Sequence, residues 1–255
     1  MKIKLADNHC HILKEYFDDP KDSINKLISD DLIEYIVSMG LNFETNRENL
    51  SLQKEVENRN FFKIGLGFHP GEVISIGKHS DQELARIFEQ IDENKDSIDY
   101  IGEIGIDYTY TNGKEFSNEQ KNVFKTLCQK ALDLNLPVSI HIRDSFEEVI
   151  EIVDSVYPDD NSFKGYIHCF TGDFEQGMFF VEKGFKLGLG GIVTYKKSDD
   201  LRKVVKDLLN FYEDKDFNDI FGLETDSPYL SPDPIRSEKN TPANVTIIAE
   251  YIENS

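Results

Sequence analysis

The chain has six histidines among 255 residues, and four of them end apolar runs or follow one another closely. His9 and His11 flank a single residue in Asp7-Asn8-His9-Cys10-His11. Two positions apart in an extended chain, both imidazoles face one side, and Cys10 between them faces the other as a small buried side chain. Two neutral imidazoles on one side begin a divalent-metal site. A solvated pair of loop histidines would be spelled the same way. His141 closes the run Pro137-Val138-Ser139-Ile140, and His168 closes Gly165-Tyr166-Ile167. Glu103 ends Tyr100-Ile101-Gly102, and Asp226 follows the apolar stretch 220–225. Taken singly, each reads more readily as a hydrogen-bonded core histidine, or as an acid that caps a helix or meets solvent. Taken together, they put a histidine or a carboxylate at the ends of five separate apolar runs.

These donors are nitrogen and oxygen only, and no cysteine cluster accompanies them, which excludes a cysteine-rich structural zinc site. Four histidines and two carboxylates suit one or two divalent ions. Two such ions would outweigh Glu103 and Asp226 and leave a positive pocket able to hold a phosphate. Two metals flanking an oxygen also activate water and stabilise a departing oxygen.

Positioning these residues requires strands. Short apolar runs at 3–7, 34–40, 61–68, 100–103, 137–141, 165–169, 185–190 and 220–224 read as strands. Helical periodicity fills the intervals 21–29, 47–58, 82–93, 118–134, 146–156, 174–183, 199–211 and 243–252. Ser117, Asp144 and Asp173 sit where N-caps belong, and Gly184 where a helix stops. Strand followed by helix, eight times, implies parallel βα units and a (β/α)8 TIM barrel of the α/β class, with residues 1–255 as one domain. A doubly wound open sheet is the competitor, but no Gly-x-Gly-x-x-Gly opens a helix. In the barrel, every candidate ligand falls at the carboxyl end of a strand, where such barrels build active sites.

Composition narrows the function. With 28 basic and 48 acidic residues the net charge is −20, which excludes coating DNA with a broad basic surface and disfavours anionic membranes. The three cysteines are far apart, so no disulfide framework is expected, and a reducing, cytoplasmic setting is. No apolar h-region opens the chain, and no run approaches the roughly 20 residues of a membrane span.

The motifs, in order, resemble those of the TatD-like metal-dependent deoxyribonucleases, a branch of the amidohydrolase-type barrels. They are Asp7-Asn8-His9-Cys10-His11, Gly67-Phe68-His69-Pro70, Gly102-Glu103-Ile104-Gly105-Ile106-Asp107-Tyr108, His141-Ile142-Arg143-Asp144, His168-Cys169-Phe170-Thr171-Gly172 and Glu224-Thr225-Asp226-Ser227-Pro228-Tyr229-Leu230. The resemblance implies that His9, His11 and Asp226 hold one metal and that His141 and His168 hold another, with Glu103 bridging. It implies that Asp226 is the general base, that Glu224 backs the ligands from outside, and that His69, Arg143 and Arg236 touch phosphate or sugar. Arg143 lies two residues past His141 and can face the same side; an ion pair with Glu147 is the alternative. His69 before Pro70 could instead cap a turn. Tyr108, Tyr110 and Phe170 could stack on bases or pack locally.

The function implied is a two-metal 3′→5′ exodeoxyribonuclease acting as a monomer on single-stranded DNA or 3′ ends. Mg²⁺ or Mn²⁺ would support activity, although histidine ligation also suits Zn²⁺. Hydrolysis of another ester or amide, such as an aminoacyl-tRNA ester or a lactone, would use the same chemistry. A non-catalytic, metal-dependent nucleic-acid scaffold is a third reading.

Overall fold

A computed structural model describes residues 4–29, 31–160 and 162–254. Among these, eight parallel strands run in sequence order: β1 Leu5–Cys10, β2 Ile33–Met39, β3 Phe62–Phe68, β4 Tyr100–Asp107, β5 Val138–Arg143, β6 Gly165–Ile167, β7 Phe185–Leu189 and β8 Phe221–Leu223. The eight-stranded sheet curls until its two ends meet. Cys10 bridges Ser227 in parallel, the His11 amide donates to the Ser227 carbonyl at 2.7 Å, and the Asp226 amide donates to the His9 carbonyl at 2.9 Å. The barrel expected from the βα alternation is therefore present. The first expected strand began at residue 3, which lies outside the described residues.

Helices cover the outside: α1 Pro20–Ile28, α2 Phe43–Glu55, α3 Pro70–Ile76, α4 Ser80–Asn94, α5 Ser117–Leu134, α6 Phe146–Val156, α7 Phe174–Glu182, α8 Asp199–Phe211, α9 Phe217–Ile220 and α10 Val245–Glu253. Strand residues such as Ile36, Ile101 and Ile167 turn outward into the main apolar core beneath these helices. Their neighbours on the opposite face, Val37, Met39, Tyr100 and Tyr166, form a second, smaller apolar group. No helix among the described residues is long and apolar enough to cross a membrane.

Several boundaries differ from the sequence reading, each for a physical reason. Strand β4 continues four residues past Glu103 to Asp107, and every residue in it is buried. Its pairing slips between Ile101 and Ile104, so Glu103 sits at an irregularity inside the strand rather than at its end. Helix α2 starts at Phe43 on an Asn42–Thr45 capping box, ahead of the apolar period, because its buried face carries Asn46, Asn49 and Gln53. Asn46 exchanges two hydrogen bonds of 3.0 Å with the Gly67 backbone, so polar residues there face inward. Helix α3 is too short for periodicity to reveal; Pro70 at its first position and His69 at its cap define it. Ser117 and Asp144 are not caps: Phe116 and Ser145 occupy those positions without side-chain capping bonds. Asp173 does cap α7 through a full capping box, and Gly184 follows it at φ 89°.

Candidate active site

At the carboxyl ends of the strands, three imidazoles point their Nε2 atoms at one spot. The Nε2 atoms of His9 and His11 lie 3.2 Å apart, and each is 3.4 Å from Glu103 Oε2. Asp226 Oδ1 lies 3.4 Å from His11 Nε2, 3.9 Å from His9 Nε2 and 3.7 Å from His168 Nε2. The His9 and His168 rings stack with centroids 3.6 Å apart. All of these side chains are almost wholly shielded from solvent except that of Asp226, which keeps a little access.

The opposite nitrogen of each ring is anchored. His11 Nδ1 donates to the Met39 carbonyl at 3.0 Å. His9 Nδ1 lies 2.7 Å from the Ser139 hydroxyl, and His168 Nδ1 lies 2.9 Å from Glu224 Oε1. An imidazole that gives its Nδ1 proton to a carbonyl or carboxylate keeps a lone pair on Nε2, the form in which histidine binds a metal. Glu224 also accepts the Cys169 amide at 2.6 Å. It is fully buried, and its carboxylate occupies the space of a missing side chain at Gly188, where a Cβ would meet Oε2 at 2.3 Å.

His141 and His69 are held differently. His141 Nδ1 is 2.8 Å from Glu103 Oε1, and its Nε2 is 2.9 Å from Asp107 Oδ2. His69 caps α3: its Nδ1 accepts the Gly71 amide at 3.0 Å, and its Nε2 lies 3.6 Å from Glu103 Oε1. Because Nδ1 accepts, the neutral ring carries its proton on Nε2. His69 therefore presents an N–H to the site rather than a lone pair.

Donor atoms within 4.8 Å of one another form three groups: His9, His168 and Asp226; His9, His11 and Glu103; and His69, Glu103 and His141. The structure thus groups His168 with His9 and Asp226 more tightly than with His141, whose ring is 6.2 Å away. Glu103 belongs to two groups, as a shared carboxylate would. The anchored imidazoles and two carboxylates fit a divalent metal by donor chemistry and by orientation.

The charges are mutually dependent. Burial opposes ionisation of Glu103, but His69, His9 and His141 hold its carboxyl well below the usual range. Burial likewise opposes ionisation of Asp226, and His168 and His11 overcome it. Burial works against charge on His168, yet Glu224 and Asp226 raise it to about 10. Asp107 and Glu103 similarly raise His141 to about 9, against its burial. Burial lowers His69 to about 4, so it is neutral.

Two cavities open here. One of about 410 Å³ is lined by the ligand cluster together with Tyr16, His69, Glu72, Tyr110 and Tyr229. A cleft of about 1090 Å³ lies over the loops that follow β4, β5 and β6 and contains Arg143, Lys114 and Lys121. Arg143 is exposed, and its guanidinium makes no ion pair with Glu147 or another acid among the described residues. Arg236 lies elsewhere, stacked 3.8 Å over the Tyr195 ring. Of the three aromatics considered for stacking, Phe170 is buried and Tyr108 packs on the core, leaving Tyr110 exposed. Cys10 is fully buried, as expected, and His79 is exposed.

Three positioning residues carried no assigned role in the sequence reading: Asp107, Ser139 and Asp7. Asp7 and Asp107 stand inside quoted motifs, which was the available signal. Ser139 has none beyond its place two residues before His141.

Residues 6–255 match the family model described as TatD related DNase. The metal-dependent hydrolase YabD of Bacillus subtilis is 31% identical over 248 residues, spanning 97% of this chain and 89% of the relative. A metal-dependent hydrolase of Methanocaldococcus jannaschii is 31% identical over 252 residues, with 98% and 88% covered. Among solved structures, YjjV, a TatD homologue of Escherichia coli, superposes with a TM-score of 0.81 over 100% of this chain and 91% of that one, at 23% identity.

Proposed function

Because the chain belongs to the TatD-related DNase family and is a metal-dependent hydrolase, we propose that its substrate is DNA, cleaved one nucleotide at a time from a 3′ end. The observation that carries this reading is the convergence of anchored His9, His11 and His168 with Glu103 and Asp226, with the unpaired guanidinium of Arg143 two residues beyond His141 at the end of the same strand. His9, His11, His168 and Asp226 would hold one divalent ion, and His141 with the shared Glu103 a second. Bound there, such ions supply Lewis acidity and a water of lowered pKa.

The remaining steps belong to side chains. Asp226, kept ionised by His168 and His11, takes the proton of the attacking water on the carboxylate oxygen not turned toward the imidazoles. Arg143 pairs the non-bridging phosphate oxygens with its planar fork of donors. His69 offers its Nε2 proton to a phosphate or sugar oxygen. Local positive charge of this kind lets a chain of net charge −20 hold a polyanion.

The test is cleavage of 5′-labelled single-stranded DNA with Mg²⁺, Mn²⁺ or EDTA, beside Asp226→Asn. A metal-dependent ladder shortening from the 3′ end, abolished in the variant, is the expected result. A folded, metal-loaded protein that leaves DNA intact but hydrolyses carboxylic esters or amides would overturn the reading.

A further inference from the structure

Five large apolar or aromatic side chains are exposed among the described residues, and two of them, Tyr110 at 47% and Tyr229 at 46%, stand at the mouth of the same 410 Å³ cavity. Exposed aromatics gathered at a pocket mark a contact surface. Both rings are fixed from behind. The Tyr229 hydroxyl is hydrogen bonded to that of Tyr16 at 2.7 Å, the two rings meet edge to face at 5.6 Å, and Tyr229 reaches over His11 at 6.4 Å. Tyr110 stands edge-on to His69 at 6.2 Å, and its ring tip is so close to Gly71 that a Cβ there would meet it at 2.9 Å.

The two tyrosines come from opposite sides. Tyr110 follows β4, three residues past Asp107, and Tyr229 follows β8, three residues past Asp226. No ring contact joins them among the described residues, and both line the cavity while staying about half exposed. Rings held rigid before binding lose little entropy when a flat partner arrives. A cavity of about 410 Å³ sits near the low end of the roughly 300–1,000 Å³ that small-molecule sites occupy. That is room for one nucleotide rather than a stretch of duplex.

Resting on the DNase reading, we propose that Tyr110 and Tyr229 form a slot for the unpaired base of the nucleotide whose phosphate lies at the His9, His11 and Asp226 cluster. Neither ring offers a pattern of donors and acceptors that distinguishes one base from another, so the slot accepts any base. A base seated there has left its partner strand, and frayed or single-stranded ends are favoured over blunt duplex.

The experiment titrates Mn²⁺-loaded protein with dAMP and with its base-free counterpart, deoxyribose 5-phosphate, by calorimetry. Wild type should bind dAMP at least tenfold more tightly. Tyr110→Ala and Tyr229→Ala should each weaken dAMP roughly 5- to 100-fold, the usual worth of one stacked base, and deoxyribose 5-phosphate less than twofold. Tyr110→Phe and Tyr229→Phe, which keep the ring, should restore most of the affinity for dAMP. Equal binding of the two ligands by wild type, or equal losses for both in the Ala variants, overturns the slot. Tighter binding of dAMP than of deoxyribose 5-phosphate without cleavage of any phosphodiester would overturn the DNase reading alone; cleavage with equal binding of the two would overturn the slot alone.

Discussion

Asp7 and Thr225 stand 218 positions apart and are joined by two hydrogen bonds, one from the Thr225 amide at 2.8 Å and one from its hydroxyl at 2.6 Å. The pair crosses the junction of β1 and β8 directly beside Asp226. Asp7 is wholly buried, and burial pushes its carboxyl up to about 8 despite the Thr225 hydrogen bonds. The folded chain therefore holds a proton there that the unfolded chain, with an ordinary value of 3.8, releases. Its contribution to stability is full below about pH 4 and is lost as pH rises toward 8. In metal-free protein, the melting temperature of wild type relative to Asp7→Asn should fall between pH 4 and pH 8 and then level. A constant difference across that range would contradict the assignment.

His69 tests whether a group near the cluster is a ligand or a donor. Asn at this position keeps an acceptor for the Gly71 amide, since Asn is a strong N-cap. It cannot present an N–H where Nε2 stood. His69→Asn should retain its metal content by elemental analysis, while kcat/KM on DNA falls by roughly 10- to 100-fold, within the range usual for loss of one positioned donor. Loss of metal in step with activity would make His69 a ligand instead.

Glu224 touches no substrate in this arrangement; it fixes the ring of His168. Glu224→Gln keeps an acceptor for the Cys169 amide and removes the charge that favours the Nδ1 proton of His168. Metal affinity should drop about 10- to 100-fold, as is typical for such outer partners. A competition titration against a chelating dye measures it, and an unchanged Kd would refute the role.

Metal uptake should be coupled to proton loss. Without metal, His168 and His141 hold their protons up to about pH 10 and pH 9, and His11 is also raised because Asp226 and Glu103 outweigh its burial. A metal-binding imidazole must be neutral, so affinity should climb as pH rises through neutrality, and protons should be released on loading. Calorimetry in two buffers of different ionisation enthalpy counts them. Metal binding with no proton release near pH 7 would contradict the charge pattern.

The sequence made the donors legible because chemistry at this site needs particular side chains, and these stand out against apolar strands. His9, His11, His141, His168, Glu103 and Asp226 converge in the fold, at the face that the βα alternation implies. What escaped notice works through the backbone or through burial. The Met39 carbonyl that orients His11 has no side-chain signature. A carboxylate ordinarily ends an apolar run, which sets the expected end of β4 at Glu103; the strand continues to Asp107 because histidines compensate the charge. Arg236, which the resemblance sets at phosphate or sugar, stacks on Tyr195, a contact that its sequence surroundings do not announce. The orientation of His69 follows from one amide of α3, a helix too short to leave a periodic trace.

The junction of β1 and β8 also sets when the site can come into being. His9 and His11 precede Glu224 and Asp226 by more than 200 positions, so they emerge well before them during synthesis. A chain still growing on the ribosome presents two histidines with no carboxylate from the far end to complete them. Catalytic competence is thus withheld until the final strand has been made and has docked. Any truncation ahead of residue 226 leaves a polypeptide that carries most of the ligands and none of the finished centre.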